Sequence, residues 1–311
     1  MKNNYPMEGG FRVVTLSNNQ LTIKINEFGA EVSSVTDQKS GYEFMWQADD
    51  KYWGRHAPVL FPIVGRLKND QYEYEGQTYE MTQHGFARDS MFEVKEITEE
   101  TATFSLTDSQ ETLKKYPFKF ELVIKYTLEE KTLTVTYEVK NRSTRKVMYY
   151  GIGGHPAFNV SQTADEDGNT EFDKISFHFE PNNEQLFIPL STEGLLKLKE
   201  AEKQTVDEIQ LTHDTFKEDA LIYKVEPNSE MVLTDETEGV EIRLNPLEME
   251  HVGVWSPYPA RGGFVCLEPW AGVADDEETS GQFNEKYGIH KLNPEQIMTH
   301  EYTIQFTKKA D

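Results

Sequence analysis

Hydrophobic and polar residues alternate with a period of two along most of the chain. In residues 131–141, Leu133, Val135, Tyr137 and Val139 alternate with Thr132, Thr134, Thr136 and Glu138. That pattern predicts an antiparallel strand with one apolar face turned inward and one polar face turned to water. The same rhythm recurs at 11–17, 21–26, 91–97, 102–106, 118–128, 175–180, 240–245 and 302–306. Short polar breaks at 17–20, 75–77 and 129–130 read as hairpin connections. Helical signals are few. Residues 108–116 carry an N-cap at Asp108 or Ser109 and stop before Pro117; shorter turns are expected within 276–287 and near 214–218. The acidic stretch 161–173 reads as a surface loop, because strands continue at the same rhythm on both sides of it. No repeat of fixed period and no Pro- or Ser-rich linker divides the chain. The expected fold class is therefore all-β: one domain over 1–311, a large antiparallel β-sandwich with few short helices.

Composition narrows the function without changing the fold. The chain has 311 residues, 37% hydrophobic and 27% charged, and no apolar run approaches the ~20 residues of a membrane-spanning helix. The first ten residues carry neither a hydrophobic segment nor a cleavage signature, so no secretory leader is expected. The net charge is −23, from 54 acidic and 31 basic residues. Without a basic footprint to meet phosphates, neither nucleic acid nor a membrane surface is an expected partner. A single cysteine, Cys266, excludes an intramolecular disulfide and a thiolate zinc cage. Lying between Val265 and Leu267, it reads as a small buried hydrophobe. A cytoplasmic location fits this cysteine usage.

Four stretches break the alternation and concentrate polar groups beside Gly and Pro, where sites are usually built on a rigid β scaffold. In "HAPVLFPIVGRL" (56–67), Arg66 follows Gly65 at the end of an apolar run. It either pairs with a surface carboxylate or forks its donors onto a ligand. In "QHGFARD" (83–89), His84 precedes Gly85, and Arg88 follows Phe86; His84 is either a solvent-facing loop histidine or part of a site. In "GIGGHPAFN" (151–159), His155 stands between Gly153-Gly154 and Pro156 at the end of a strand, out of place in a regular sheet. The glycines admit positive φ and close backbone approach, and the proline favours extended geometry at His155. In "GGFVCLEPWAGVADD" (262–276), Glu268 ends an apolar strand beside Pro269 and Trp270. A carboxylate there is partly desolvated, which raises its pKa and suits a general base.

No GxGxxG, P-loop or nucleophile elbow is present, and no cofactor is expected. A metal set drawn from His56, His84, His155 and Glu268 lacks the short spacing common in β-fold metal sites, so no metal is expected either. A glycosidase needs two carboxylates flanking one bond; only Glu268 is well placed, with Asp214 and Asp219 as weaker candidates.

Taken together and in order, "FPIVGRLKNDQYEYEGQTYEMTQHGFARD", "GGHPAFN" and "LEPWAGVAD" resemble the aldose 1-epimerases, the galactose mutarotase family, and within it the LacX-like branch. The resemblance extends from about residue 12 to residue 306. It implies the family's β-supersandwich and the interconversion of the α and β anomers of a hexose. It further implies His155 as general acid, Glu268 as general base, and His84 and Arg66 as sugar-binding groups. An aspartate holding a sugar hydroxyl is implied in 213–223, with Asp219 preferred over Asp214. Trp270, Trp255, Phe86 and Phe158 are candidates to pack on the apolar face of the sugar. Some relatives act on hexose 6-phosphates through arginines, a role open here to Arg88, Arg55 or Arg261. A non-catalytic carbohydrate-binding protein is the remaining alternative; either would be a monomer or homodimer with a small-molecule sugar partner. The chain departs from the family pattern in two places. Gly154 stands where the family places Asn before the histidine, and no Asn-Arg follows Arg66. Gly154 is thus expected to mark a divergence in sugar preference.

Overall fold

The computed structural model describes the backbone of residues 7–8 and all of residues 10–166 and 168–309. Most of the first ten residues, read above as carrying no leader, lie outside that description. Strands dominate the described residues, in two large antiparallel sheets, a four-stranded one and three two-stranded ones. The first sheet has nine strands in the order Ile209–Gln210, Ile175–Glu180, Glu230–Asp235, Val240–Asn245, Ile297–Lys308, Thr132–Asn141, Phe120–Glu129, Thr101–Thr107 and Glu93–Ile97. Its central strands bury every second residue, as in Thr132–Asn141, where Leu133, Val135, Tyr137 and Val139 are all buried. A four-stranded sheet pairs Met7–Glu8, Phe11–Ser17, Leu21–Asn26 and Val32–Asp37, and buried residues of its last three strands join the same hydrophobic core.

The second large sheet carries Glu268 and adjoins His155. Its order is Glu202–Thr205, Glu184–Ile188, Leu221–Lys224, His251–Trp255, Phe264–Ala271, Ile152–Gly154 and Val59–Leu60, and Ala157–Asn159 also pairs with Phe264–Ala271. Every residue of Phe264–Ala271 is buried. Along it, Val265 and Leu267 enter the main core, whereas Trp270 and Cys266 join separate apolar clusters on the opposite face. One face therefore packs into the sandwich and the other lies under loops. A strand covered twice needs apolar residues on both sides, which erases the period-two signature.

Several sequence expectations change in detail. The stretch 161–173 is not simply a loop: Gln162–Ala164 and Thr170–Phe172 pair as a hairpin within it. The strand expected at 302–306 extends over Ile297–Lys308, because it is central and paired on both sides. The one α-helix among the described residues, Gln110–Lys115, is capped by Ser109, whose side chain accepts from the Thr112 N–H at 3.1 Å. The turns expected near 214–218 and within 276–287 are the short 3-10 segments His213–Phe216 and Phe283–Glu285.

The glycines before His155 do something other than supply positive φ. Neither Gly153 nor Gly154 takes a positive φ. What each supplies is space. A Cβ on Gly153 would stand 2.6 Å from the Trp270 ring, and one on Gly154 would stand 2.6 Å from the Tyr302 hydroxyl. Alternation sends residue 154 to the face opposite His155, toward the main core, where Tyr302 belongs to the hydrophobic cluster. Gly154 is therefore a packing requirement, and it is not among the residues that line the cavity described below. Gly154→Asn should overpack this core and cost about 1–3 kcal/mol. The expected readout is a lowered Tm in thermal denaturation with KM for sugar unchanged; a changed KM at unchanged Tm would contradict the assignment.

Candidate active site

His155 and Glu268 are cross-strand neighbours. Gly153 lies opposite Trp270, and Ala157 lies opposite Cys266. Both strands advance four residues between these pairs, so the register runs through unbroken and sets His155 opposite Glu268. As the sequence reading expected, His155 stands outside the strands themselves, in the two-residue break between Ile152–Gly154 and Ala157–Asn159, yet it keeps their register. What is irregular is the hydrogen bonding: Pro156 and Pro269 bring no N–H to the ladder on either side of the pair. Opposed residues on antiparallel strands hold their Cβ atoms about 4.5–5.5 Å apart on the same face. Accordingly, His155 Nε2 lies 3.1 Å from Glu268 Oε2, although the two are not aligned as a hydrogen bond.

Both side chains are deeply buried, Glu268 at 1% exposure and His155 at 7%. Burial pushes the Glu268 carboxyl well above its usual range, and the nearby Asp219 carboxylate adds to the shift. Burial pushes the His155 imidazole down to about 3, with the Arg88 and Arg55 charges acting in the same direction. The free site thus favours a neutral pair that shares one proton. The His155 ring stacks on Trp53 at 4.9 Å and meets Trp255 edge-on at 5.7 Å. This wall of indole excludes water on one side.

His84 reaches the pair from a loop. Its ring is 5.5 Å from that of His155 and nearly perpendicular to it. Its backbone takes the left-handed region, φ 67°, followed by Gly85 at φ 70°. Two bonds tie it to Gly65: the His84 N–H donates to the Gly65 carbonyl at 2.9 Å, and the Gly65 N–H donates to His84 Nδ1 at 3.2 Å. An imidazole accepting at Nδ1 and held neutral by burial keeps its proton on Nε2. Gly65 itself needs φ 71°, and a Cβ there would stand 2.6 Å from that of Ala274.

These groups line a cavity of about 330 Å³ together with Arg66, Arg88, Asp219 and Trp270. The size lies at the lower end of the range for small-molecule sites. Arg66 extends from the Gly65 corner, 3.8 Å from Asp70 and 3.4 Å from the Glu193 carbonyl. Arg88 stands on the turn Ala87–Asp89 and donates to the Gln83 carbonyl at 2.7 Å, while its buried Nε makes no hydrogen bond. Asp219 lines the cavity from a left-handed position, φ 80°, just before Leu221–Lys224. Asp214 sits in the preceding turn and does not line it.

Some expected contributors are elsewhere. Phe158 faces the main core beside Phe306, and Phe86 packs against Phe61 and Phe120. Arg261 is engaged by the Thr170 carbonyl and Glu171, and Arg55 pairs with Asp89 at 2.8 Å. Sequence reasoning missed Trp53, whose available signal was a tryptophan next to Gly54 in an irregular segment leading into the proline-rich stretch 56–67. As to metals, His155, Cys266 and Glu268 bring one donor atom each within 4.8 Å of one another. Burial and the Glu268 charge push the Cys266 thiol well up, so it holds its proton and is a poor ligand. His56 lies 3.7 Å from Glu31 and does not join this set.

Residues 12–304 match the aldose 1-epimerase family. Protein LacX of Lactococcus lactis subsp. lactis is 32% identical over 303 residues, covering 94% of this chain and 98% of that protein. A galactose mutarotase related enzyme from Lactobacillus acidophilus superposes with a TM-score of 0.89 at 39% identity, over 96% of this chain and 98% of the other. A galactose mutarotase-like protein from Lactobacillus casei gives 0.87 at 29% identity, over 95% and 100%. Together with the two-sheet sandwich and its buried His155–Glu268 pair, these likenesses establish that the chain belongs to the aldose 1-epimerase family, whose members are isomerases of the mutarotase type.

Proposed function

We propose that this protein interconverts the α and β anomers of a free hexose, with His155 and Glu268 as the proton-transferring pair. The observation that carries the reading is the cross-strand placement of these two buried groups at 3.1 Å. Ring opening needs one proton delivered to the ring oxygen and one removed from the anomeric O1 hydroxyl. The pair holds one proton between two groups, which is the stoichiometry this exchange needs. In the free site burial places that proton on Glu268. Moving it across 3.1 Å to His155 gives the imidazolium–carboxylate form. Glu268 then takes the O1 proton while His155 protonates the ring oxygen. The C1–O5 bond breaks as the C1–O1 carbonyl forms. Rotation about C1–C2 presents the other face of the aldehyde, and the same transfers in reverse close the ring. His84 Nε2–H, Arg66 and Asp219 bind sugar hydroxyls, and Trp270 and Trp255 cover apolar C–H faces. Holding the open chain beside both groups adds to the rate by proximity. The pair of proton-transfer groups also separates this reading from a sugar-binding module, which has no use for one. No helix among the described residues is long and apolar enough to cross a membrane; we place the protein in the cytoplasm on the strength of its single, buried thiol.

A phosphorylated hexose is the second reading. Two guanidiniums, Arg66 and Arg88, line the cavity, and the buried Arg88 Nε has no hydrogen-bond acceptor. A phosphate oxygen would satisfy it.

Polarimetry on freshly dissolved α-glucose and α-galactose should show accelerated approach to equilibrium. Glu268→Gln and His155→Asn should each lower kcat by roughly 10²–10⁴-fold while leaving the fold intact; full activity in either variant would remove that residue from the pair. The pH profile follows from the two shifts. A second proton enters the pair only near the lowered value of His155, about 3. On the alkaline side the pair loses its single proton above the ordinary carboxylate range, because Glu268 is raised. The kcat/KM profile should therefore stay flat on the acid side well below 6.5, and an acid limb centred at that ordinary histidine value would contradict the shared-proton site. Arg88→Ala should raise KM for a hexose 6-phosphate about ten-fold or more relative to the free sugar; an equal effect on both substrates would exclude the phosphorylated class.

A further inference from the structure

Outside the residues that face the cavity, the described chain contains one ion pair buried on both sides. Lys286 Nζ and Asp275 Oδ1 are 3.2 Å apart, with both side chains 4% exposed. Lys286 also donates to the Val273 carbonyl at 2.5 Å. Buried pairs of this kind bring little net stability, since desolvation offsets their attraction. Their place in the structure is then the better guide to what they do.

Every polar group of Asp275 is engaged, and the partners lie on two walls of the cavity. Its N–H donates to the Arg66 carbonyl at 2.9 Å, and its Oδ2 accepts from the Lys68 N–H at 2.9 Å. Both bonds hold the backbone just after Arg66, at its own carbonyl and across Leu67 at the Lys68 N–H; on the other wall, the Asp275 backbone is also engaged. Its carbonyl accepts from the Leu196 N–H at 2.8 Å. The Leu196 carbonyl in turn accepts from the Glu277 N–H at 3.0 Å. This docks the segment 190–196, whose Leu190 and Gly194 line the cavity and whose Glu193 carbonyl takes the Arg66 guanidinium. Next to Asp275, Ala274 fills the space that Gly65 leaves by lacking a Cβ. An apolar cluster including Val64, Val273 and Leu196 closes over this junction.

We infer that Asp275, held in place by Lys286, is a positioning residue that aims Arg66 into the sugar cavity and joins the Arg66 wall to the wall carrying Leu190 and Gly194. The assignment rests on the reading of Arg66 as a sugar-binding group. Asp275 touches no sugar; it sets the backbone on which Arg66 rides. The lysine holds one carboxylate oxygen, Oδ1, which leaves Oδ2 turned to the Lys68 N–H.

The test removes the pair without leaving one charge buried alone. Asp275→Ala/Lys286→Met deletes the acceptor for the Lys68 N–H together with both charges. It should raise KM for the α-anomer about ten-fold, with kcat within about two-fold of the parent protein. Asp275→Asn/Lys286→Met keeps one oxygen for the Lys68 N–H but lacks the lysine that fixes its orientation, so it should reverse only part of the KM rise. In an Arg66→Ala background, which itself should raise KM about ten-fold, the alanine pair should add little. A purely structural role would lower Tm and the active fraction while KM stayed put, and that result would overturn the inference. So would an undiminished KM rise in the Arg66→Ala background. If Arg66→Ala alone leaves KM unchanged, it is the sugar-binding reading of Arg66 that fails. Should the alanine pair not fold, Asp275→Ser/Lys286→Met supplies the same contrast with a smaller void, and there an unchanged KM again overturns the inference.

Discussion

The structure turns on the double burial of one strand, Phe264–Ala271. It is hydrogen-bonded along both edges and covered on both faces. Four consequences meet at Glu268. Its carboxyl is cut off from water, so its proton is held more tightly. Its cross-strand partner is fixed as His155 by register rather than by a loop. Its neighbour Trp270 requires glycine at 153 and again at 253, where a Cβ would stand 2.6 Å from the indole. The next residue inward, Leu267, anchors the strand in the main core. A carboxylate in such a place is costly to ionise unless something useful is bound against it.

The two large sheets were not equally legible from sequence. Thr132–Asn141 announces itself, because one face is wet and Thr alternates with Leu, Val and Tyr. His251–Trp255 and Phe264–Ala271 do not alternate, since both of their faces are covered. Their interrupted motifs carried the signal instead: Gly, Pro, Trp and a titratable residue crowded together. The strand that bears the chemistry was therefore visible as chemistry before it was visible as a strand. The glycines of "GIGGHPAFN" were noticed for the wrong physical reason. They provide room for Trp270 and Tyr302, not an unusual φ.

At the site, the residues found from sequence are those whose local surroundings are odd: His155 between Gly and Pro, Glu268 before Pro-Trp, His84 before Gly85, Arg66 after Gly65. The residues missed look ordinary where they stand. Trp53 matters only because the fold lays it on His155. Asp275 sits in an acidic run and Lys286 in a polar one, and their partners lie far along the chain, Asp275 and Lys68 being separated by 207 residues. Nothing local distinguishes a lysine that will be buried from the many that will not. Only the three-dimensional closure of the chain makes that distinction.

The His155–Glu268 contact divides labour within the protein. Its spacing belongs to the pleated sheet, as regular as the rise from one residue to the next, and requires no loop to close over a ligand. The groups proposed to bind the sugar line the cavity from irregular segments instead: 65–66, 83–88, 190–194 and 219. Reaction and recognition are thus written on different kinds of backbone. Loops can drift in length and composition, and on the proposed reading the accepted sugar drifts with them, while the sheet keeps the 3.1 Å spacing of His155 and Glu268 constant.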